Sequence, residues 1–234
     1  MPLTPELLEK AKKGRRVAVE AVVAEYYPRV HRVAQALCGR EAAGLQVERL
    51  VLRRSLGALA KWDHPGDVQR WFLHHTILAS RQKKTQEIDL AGDPLIRGVA
   101  TNSAYYPAFI RALRTLPMQQ REAYILHHGE RLDVRGLSIA MDCSQEAAGN
   151  HLREATAALS AYGGDFFPTF TANMTQTYDR LSPAEELVVP AVRSSMRGRM
   201  SIGKVIEWTV TAIKVGVIGG VVFLSWKFVP MLKW

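Results

Sequence analysis

Leu132-Asp133-Val134-Arg135-Gly136-Leu137-Ser138-Ile139-Ala140-Met141-Asp142-Cys143-Ser144, running on through Gln145 to Leu159, decides the fold of this 234-residue chain. Asp133 and Ser144 both stand where helix N-caps belong, because a short side chain with an acceptor oxygen can bind the free N–H groups of a first helical turn. Between them fits a helix of roughly two turns, and a longer one is expected from Gln145 to about Leu159. A short helix, a three-residue break and a longer helix is helix-turn-helix spacing. Asp142, in the break, tolerates the left-handed backbone region better than most residues.

Upstream, a helix is expected to end near Leu116-Pro117, and the next to run from about Met118 to His128. Residues 89–105 lack sustained periodicity and contain Gly, Pro and Asn, so they read as a linker. Before that, residues 4–88 read as helices. Thr4 can cap the first, with Pro5 at its first position. Apolar residues from Val17 to Ala36 recur at three- and four-residue spacing, with a kink or local break expected at Pro28. Gly39 closes that segment, a second helix is expected from Glu41 to Trp62, and a third from Val68 to Lys84 behind an Asp67 cap. Downstream, residues 163–204 read as a linker with a short helix opening at Ser182-Pro183-Ala184-Glu185. The expected fold class is therefore all-α: two small helical domains, 1–88 and 106–162, joined by a linker.

The C-terminal segment is different in kind. Residues 205–230 are largely apolar, interrupted by Glu207, Lys214 and Lys227. From Trp208 to Trp226 there are 19 residues, enough to span a bilayer if Lys214 snorkels towards one interface. Trp208 and Trp226 suit interfacial positions, and Gly216/Gly220 give a small-xxx-small face. A transmembrane helix is the expectation, with an interfacial or buried core helix as the alternatives. Arg193, Arg197, Arg199 and Lys204 on its N-terminal flank place the bulk of the protein on the cytoplasmic side. From its opening residues, charged within the first ten, no signal peptide is expected.

The net charge of +9 is unevenly spread: +6 over residues 1–90, −3 over 91–190 and +6 over 191–234. A basic N-terminal block suits nucleic acid, and a basic flank beside an apolar helix suits anionic lipid. Cys38 and Cys143 lack metal-type spacing, and the pairs His74–His75 and His127–His128 point about 100° apart on a helix, so no metal or other cofactor is expected. No nucleophile–base pair, phosphate-binding glycine loop or paired carboxylates argue for an enzyme.

Residues 5–162 resemble an extracytoplasmic-function sigma factor of the sigma-70 family. The stretch from Ala112 to Leu126, with Leu116-Pro117 and Arg121-Glu122, is similar to the pattern that opens region 4, and the helix-turn-helix follows at the expected distance. Tyr26-Tyr27-Pro28-Arg29-Val30 and Val68-Gln69-Arg70-Trp71-Phe72 resemble strings of region 2. The resemblance implies promoter DNA and core RNA polymerase as partners, and leaves room for an anti-sigma factor. It assigns contact with the −10 side to Trp71, His74, His75, Arg81, Lys83 and Lys84, where aromatic rings stack bases and cations neutralise phosphates. It assigns the recognition helix's contacts to Ser144, Gln145, Glu146, Gly149, Asn150 and Arg153, and polymerase binding to Gln46, Glu48 and Arg49.

The sequence also departs from the family. Arg49 and Leu50 replace Gln and Glu in the clamp-binding stretch, leaving Glu48 as its acidic residue. Gly149, His151, Glu154 and Thr156 replace cations on the recognition helix. The expected function is a membrane-tethered transcription-initiation factor on the inner face of the bacterial inner membrane. The alternatives are a sigma-like membrane-anchored scaffold that no longer initiates transcription, and a helix-turn-helix regulator acting without polymerase.

Overall fold

The computed structural model describes residues 3–83, 90–97 and 105–196, and every regular element among them is helical. Helix α1 (Pro5–Lys12) starts as its sequence dictates: Thr4 Oγ1 accepts a hydrogen bond from Leu7 N at 3.2 Å, with Pro5 opening the helix. Helix α2 (Arg16–Cys38) is continuous through Pro28, so the chain does not break there, and Tyr27 and Val30 on either side of the proline are buried. It ends at Gly39, whose φ of 64° is left-handed. A Cβ there would come within 2.9 Å of Arg114 Nε, so this site needs glycine for both backbone angle and space.

Helix α3 (Glu41–Ala58) closes with a 3₁₀ turn at Leu59–Lys61. Helix α4 (Pro65–Arg81) opens earlier than the sequence suggests. Its N-cap is His64, and Asp67 occupies the third helical position, where its carboxylate accepts from His64 N at 3.0 Å in a capping box. Helices α5 (Tyr105–Thr115), α6 (Met118–Gly129), α7 (Val134–Met141) and α8 (Gln145–Gly163) follow, with the expected side-chain caps present at Asp133 and Ser144.

Two segments read as linkers carry structure. Residues 90–97 form a series of turns that bury Asp93 and Leu95, and both carboxylate oxygens of Asp93 take the guanidinium of Arg114. Downstream lies helix α9 (Phe167–Arg180). Its inward positions, Phe170, Met174 and Tyr178, recur every four residues, but the Thr, Asn and Gln between them dilute the apolar signal and make the segment look like a loop. Residues 185–193 are helical as well.

Residues 1–193 make up one compact unit. A single apolar cluster runs from Val33, Ala36 and Leu37 of α2, through Leu73 and Ile77 of α4, to Phe109, Tyr124, Leu159 and Phe170 of the later helices. Burying each such large side chain contributes roughly 1.5–3 kcal/mol, so the two helical blocks share one source of stability. The second unit, residues 194–234, holds the apolar segment 205–230, which lies outside the described residues together with Lys84. No helix among the described residues is long and apolar enough to cross a membrane.

Candidate nucleic-acid interface

Two faces carry the residues singled out from sequence. The first belongs to α4. The capping box fixes the start of the helix, and its apolar stripe, Val68, Phe72, Leu73, Thr76 and Ile77, turns inward. Trp71, His74 and His75 consequently lie at the edge of the buried surface, each half-buried. Trp71 meets Trp62 edge-on at 5.3 Å between ring centres and has His75 at 4.2 Å on another side. This packing leaves part of the indole available for stacking while its other edges are anchored.

His75 is the most perturbed group of this face. Burial lowers its pKa, and His74, Arg54 and Lys61 lower it further through their charge. Its Nδ1 is buried and makes no hydrogen bond among the described residues. Arg54 and Lys61 were not singled out from the sequence. They belong to α3 and the 3₁₀ turn after it, and only the packing of that turn beside α4 reveals them as neighbours of His75. Neither forms an ion pair among the described residues, so this edge presents two cations next to an aromatic pair. That is an arrangement suited to a phosphate flanked by a base.

Arg81, His74 and Lys83 are engaged by neighbouring elements. Arg81 donates to both oxygens of Glu122 on α6, with contacts of 2.7–3.1 Å, and also to the carbonyl of Met141 at 3.2 Å. The Glu122 carboxylate raises the guanidinium pKa still further. His74 places its Nδ1 3.2 Å from the carbonyl of Ala140. Lys83 donates to Gln46 at 2.8 Å, pairing a residue assigned to DNA with one assigned to polymerase.

Of the three polymerase-binding candidates, Gln46 and Arg49 are exposed on α3. Glu48 is only 2% exposed. It accepts from the Tyr27 hydroxyl at 3.1 Å and from Gln35 Nε2 at 2.9 Å, and His31 Nδ1 lies 3.1 Å away without hydrogen-bond alignment. A buried carboxylate satisfied in this way is a structural element of the α2–α3 interface. A partner could grip it only after those helices part.

The second face is the start of α8. Asp142 adopts a left-handed φ of 58° and turns the chain, and Ser144 Oγ accepts from Ala147 N at 3.1 Å. The side chains of Gln145, Glu146 and Arg153 point to solvent, while Gly149 and Asn150 are half-buried. Arg153 donates to Asn150 Oδ1, and Glu154, also exposed, accepts from Gln120 Nε2 at 2.7 Å. A Cβ on Gly149 would meet only Val134 Cγ1, at an ordinary 3.7 Å, so no close approach demands glycine here. This face can donate and accept hydrogen bonds at base edges but offers little charge to phosphates.

Among the described residues no group of three or more His, Cys, Asp or Glu side chains is placed to hold a metal ion. Comparison of the chain with protein-family models, with curated proteins and with solved structures finds no match.

Proposed function

We propose that the chain is a sigma-type transcription-initiation factor held at the membrane by its apolar C-terminal segment. The observation that carries this reading is the α7–turn–α8 assembly. Both helices have side-chain caps, the turn is three residues long, and the first turn of α8 presents Gln145 and Glu146 outward. The α4 edge adds a second contact of a different kind, with Trp71 and His75 beside Arg54 and Lys61. In this reading α8 lies in duplex DNA upstream while the α4 edge receives unpaired bases and their phosphates. Core RNA polymerase docks on the exposed α3 residues Gln46 and Arg49.

Run-off transcription tests the proposal. The chain plus bacterial core polymerase should yield promoter-dependent transcripts, and Trp71→Ala should reduce them by about tenfold if one stacked base is lost. Failure to co-purify with core polymerase at low salt would overturn it.

A second reading, a sigma-like membrane-anchored scaffold without initiation activity, is favoured by one observation. Glu48, the acidic residue left in the clamp-binding stretch, is sealed beneath Tyr27 and Gln35. Stable association with another protein in the absence of any transcript would decide for the scaffold.

A further inference from the structure

The residues that join α4 to the helix-turn-helix are the same residues expected to meet DNA. The last turn of any helix leaves carbonyl oxygens without intrahelical partners. At the end of α7 the backbone N–H groups of Asp142 and Cys143 both take the carbonyl of Ser138. The carbonyls of Ala140 and Met141 receive their donors from α4, namely His74 and Arg81. Arg81 is at the same time clamped by Glu122, whose side chain is 3% exposed. Thus one guanidinium binds a buried carboxylate of α6 and a terminal carbonyl of α7, and α4 lies along α7 as a result.

We propose that this triple contact is a latch that regulates the nucleic-acid-binding face of α4, and that DNA opens it by offering Arg81 a phosphate in place of Glu122 and Met141. The inference rests on the nucleic-acid-binding reading given above. Its physical basis is competition: Glu122 holds the Nε–Nη2 edge of Arg81 and the Met141 carbonyl takes a further Nη2 hydrogen, so a phosphate gains a two-bond grip on the guanidinium only by displacing one of them. While the fork is held by Glu122, the α4 edge binds DNA through Arg54, Lys61 and the aromatic pair alone. Once released, Arg81 adds one phosphate contact, and His74 is freed with it.

Cys143 provides a readout independent of DNA. It sits in the turn after α7, half-buried, close enough to Arg81 and Glu122 for their charges to act on its thiol, and burial raises its pKa. Opening the latch should expose it and speed its reaction with an aromatic disulfide reagent. The experiment uses the full chain in mild detergent, with Cys38→Ala leaving Cys143 as the single thiol. Glu122→Gln keeps the shape of the side chain and removes its charge. It should accelerate Cys143 labelling, tighten binding of a 30-nucleotide single strand by about tenfold, the worth of one charged hydrogen bond, and steepen the salt dependence by about one phosphate.

Arg81→Lys guards against misfolding of the first variant. It keeps the cation for DNA but loses the fork, and it should change labelling and affinity in the same direction. Equal DNA affinity and equal Cys143 labelling in the parent and in both variants would overturn the latch while leaving DNA binding intact. Absence of DNA binding in all three proteins, at low salt and with unchanged thermal melts, would overturn the binding reading itself and the latch with it.

Discussion

Asp93 lies in a segment whose sequence reads as a linker, and its removal tests whether that segment holds the fold together. In the native chain Asp93 Oδ2 and Oδ1 accept from Arg114 Nε and Nη2 at 2.7 and 2.9 Å, and Arg114 Nη1 donates to the carbonyl of Ala36 at 2.6 Å. Asp93 and Arg114 are 1% and 7% exposed. Asp93→Ala leaves a guanidinium buried with a single carbonyl partner, and a broken buried pair of this kind costs about 3–5 kcal/mol. It also removes the hydrogen bond from Leu95 N to Asp93 Oδ1, worth about 1 kcal/mol. With about 2–4 °C per kcal/mol for a unit of this size, the melting temperature should fall by roughly 8–24 °C. Asp93→Ala combined with Arg114→Met should restore most of the loss, because an apolar replacement of both partners removes the unpaired charge. Urea unfolding followed by circular dichroism measures each variant. A single substitution costing under about 1 kcal/mol, or a double variant no better than the single, would refute the assignment of this pair as the tie between segment 90–97 and α5.

Gly129→Ala should destabilise by about 1–3 kcal/mol in thermal melts, since a Cβ there would lie 2.7 Å from the Tyr178 ring, which is fully buried and hydrogen-bonded to Glu130 at 2.7 Å. Gly149→Ala should act in the opposite sense and stabilise by about 0.5–1 kcal/mol, because that position is helical and its surroundings accept a methyl group. The same melts distinguish the two glycines. Burial, with the neighbouring His127 adding to it, lowers the pKa of His128 from the ordinary 6.5 to about 4. The unfolded chain therefore binds more protons between those values, and stability should decline as pH falls through that window. His128→Phe, which keeps a ring against Tyr124, should lessen the loss of unfolding free energy between pH 7 and pH 4.5, measured in urea, by about 1 kcal/mol after solvent screening.

Much of the fold is legible from local chemistry. Thr4, Gly39, Asp133 and Ser144 mark helix ends by mechanisms that need no distant partner, and all four act where the sequence places them. Pro117 likewise separates α5 from α6. What escaped reading depends on contacts between distant residues. Asp93 looks like a turn residue until Arg114 is known to face it, and α9 looks like a polar loop until Phe170, Met174 and Tyr178 are seen to find the core. The candidate site divides in the same way. Periodicity puts Trp71 and His75 on one edge of α4, whereas the capture of Arg81 by Glu122, the burial of Glu48 and the approach of Arg54 and Lys61 to His75 are tertiary events without a local signature.

The salt bridge between Glu20 and Arg193, at 2.9 Å, bears on how the chain is made. Its partners are 173 residues apart, and Arg32 similarly waits 150 residues for Ser182. At about 5–20 residues per second of synthesis, Glu20 emerges some 9–35 s before the arginine that completes its surroundings. During that interval the N-terminal helices lack α9 and the helical turns after it, so the unit closes only after Arg193 has been made. Residue 205, where the apolar segment begins, is synthesised about a second or two after Arg193. Closure of the unit formed by residues 1–193 and synthesis of the apolar segment thus become nearly simultaneous events on the ribosome.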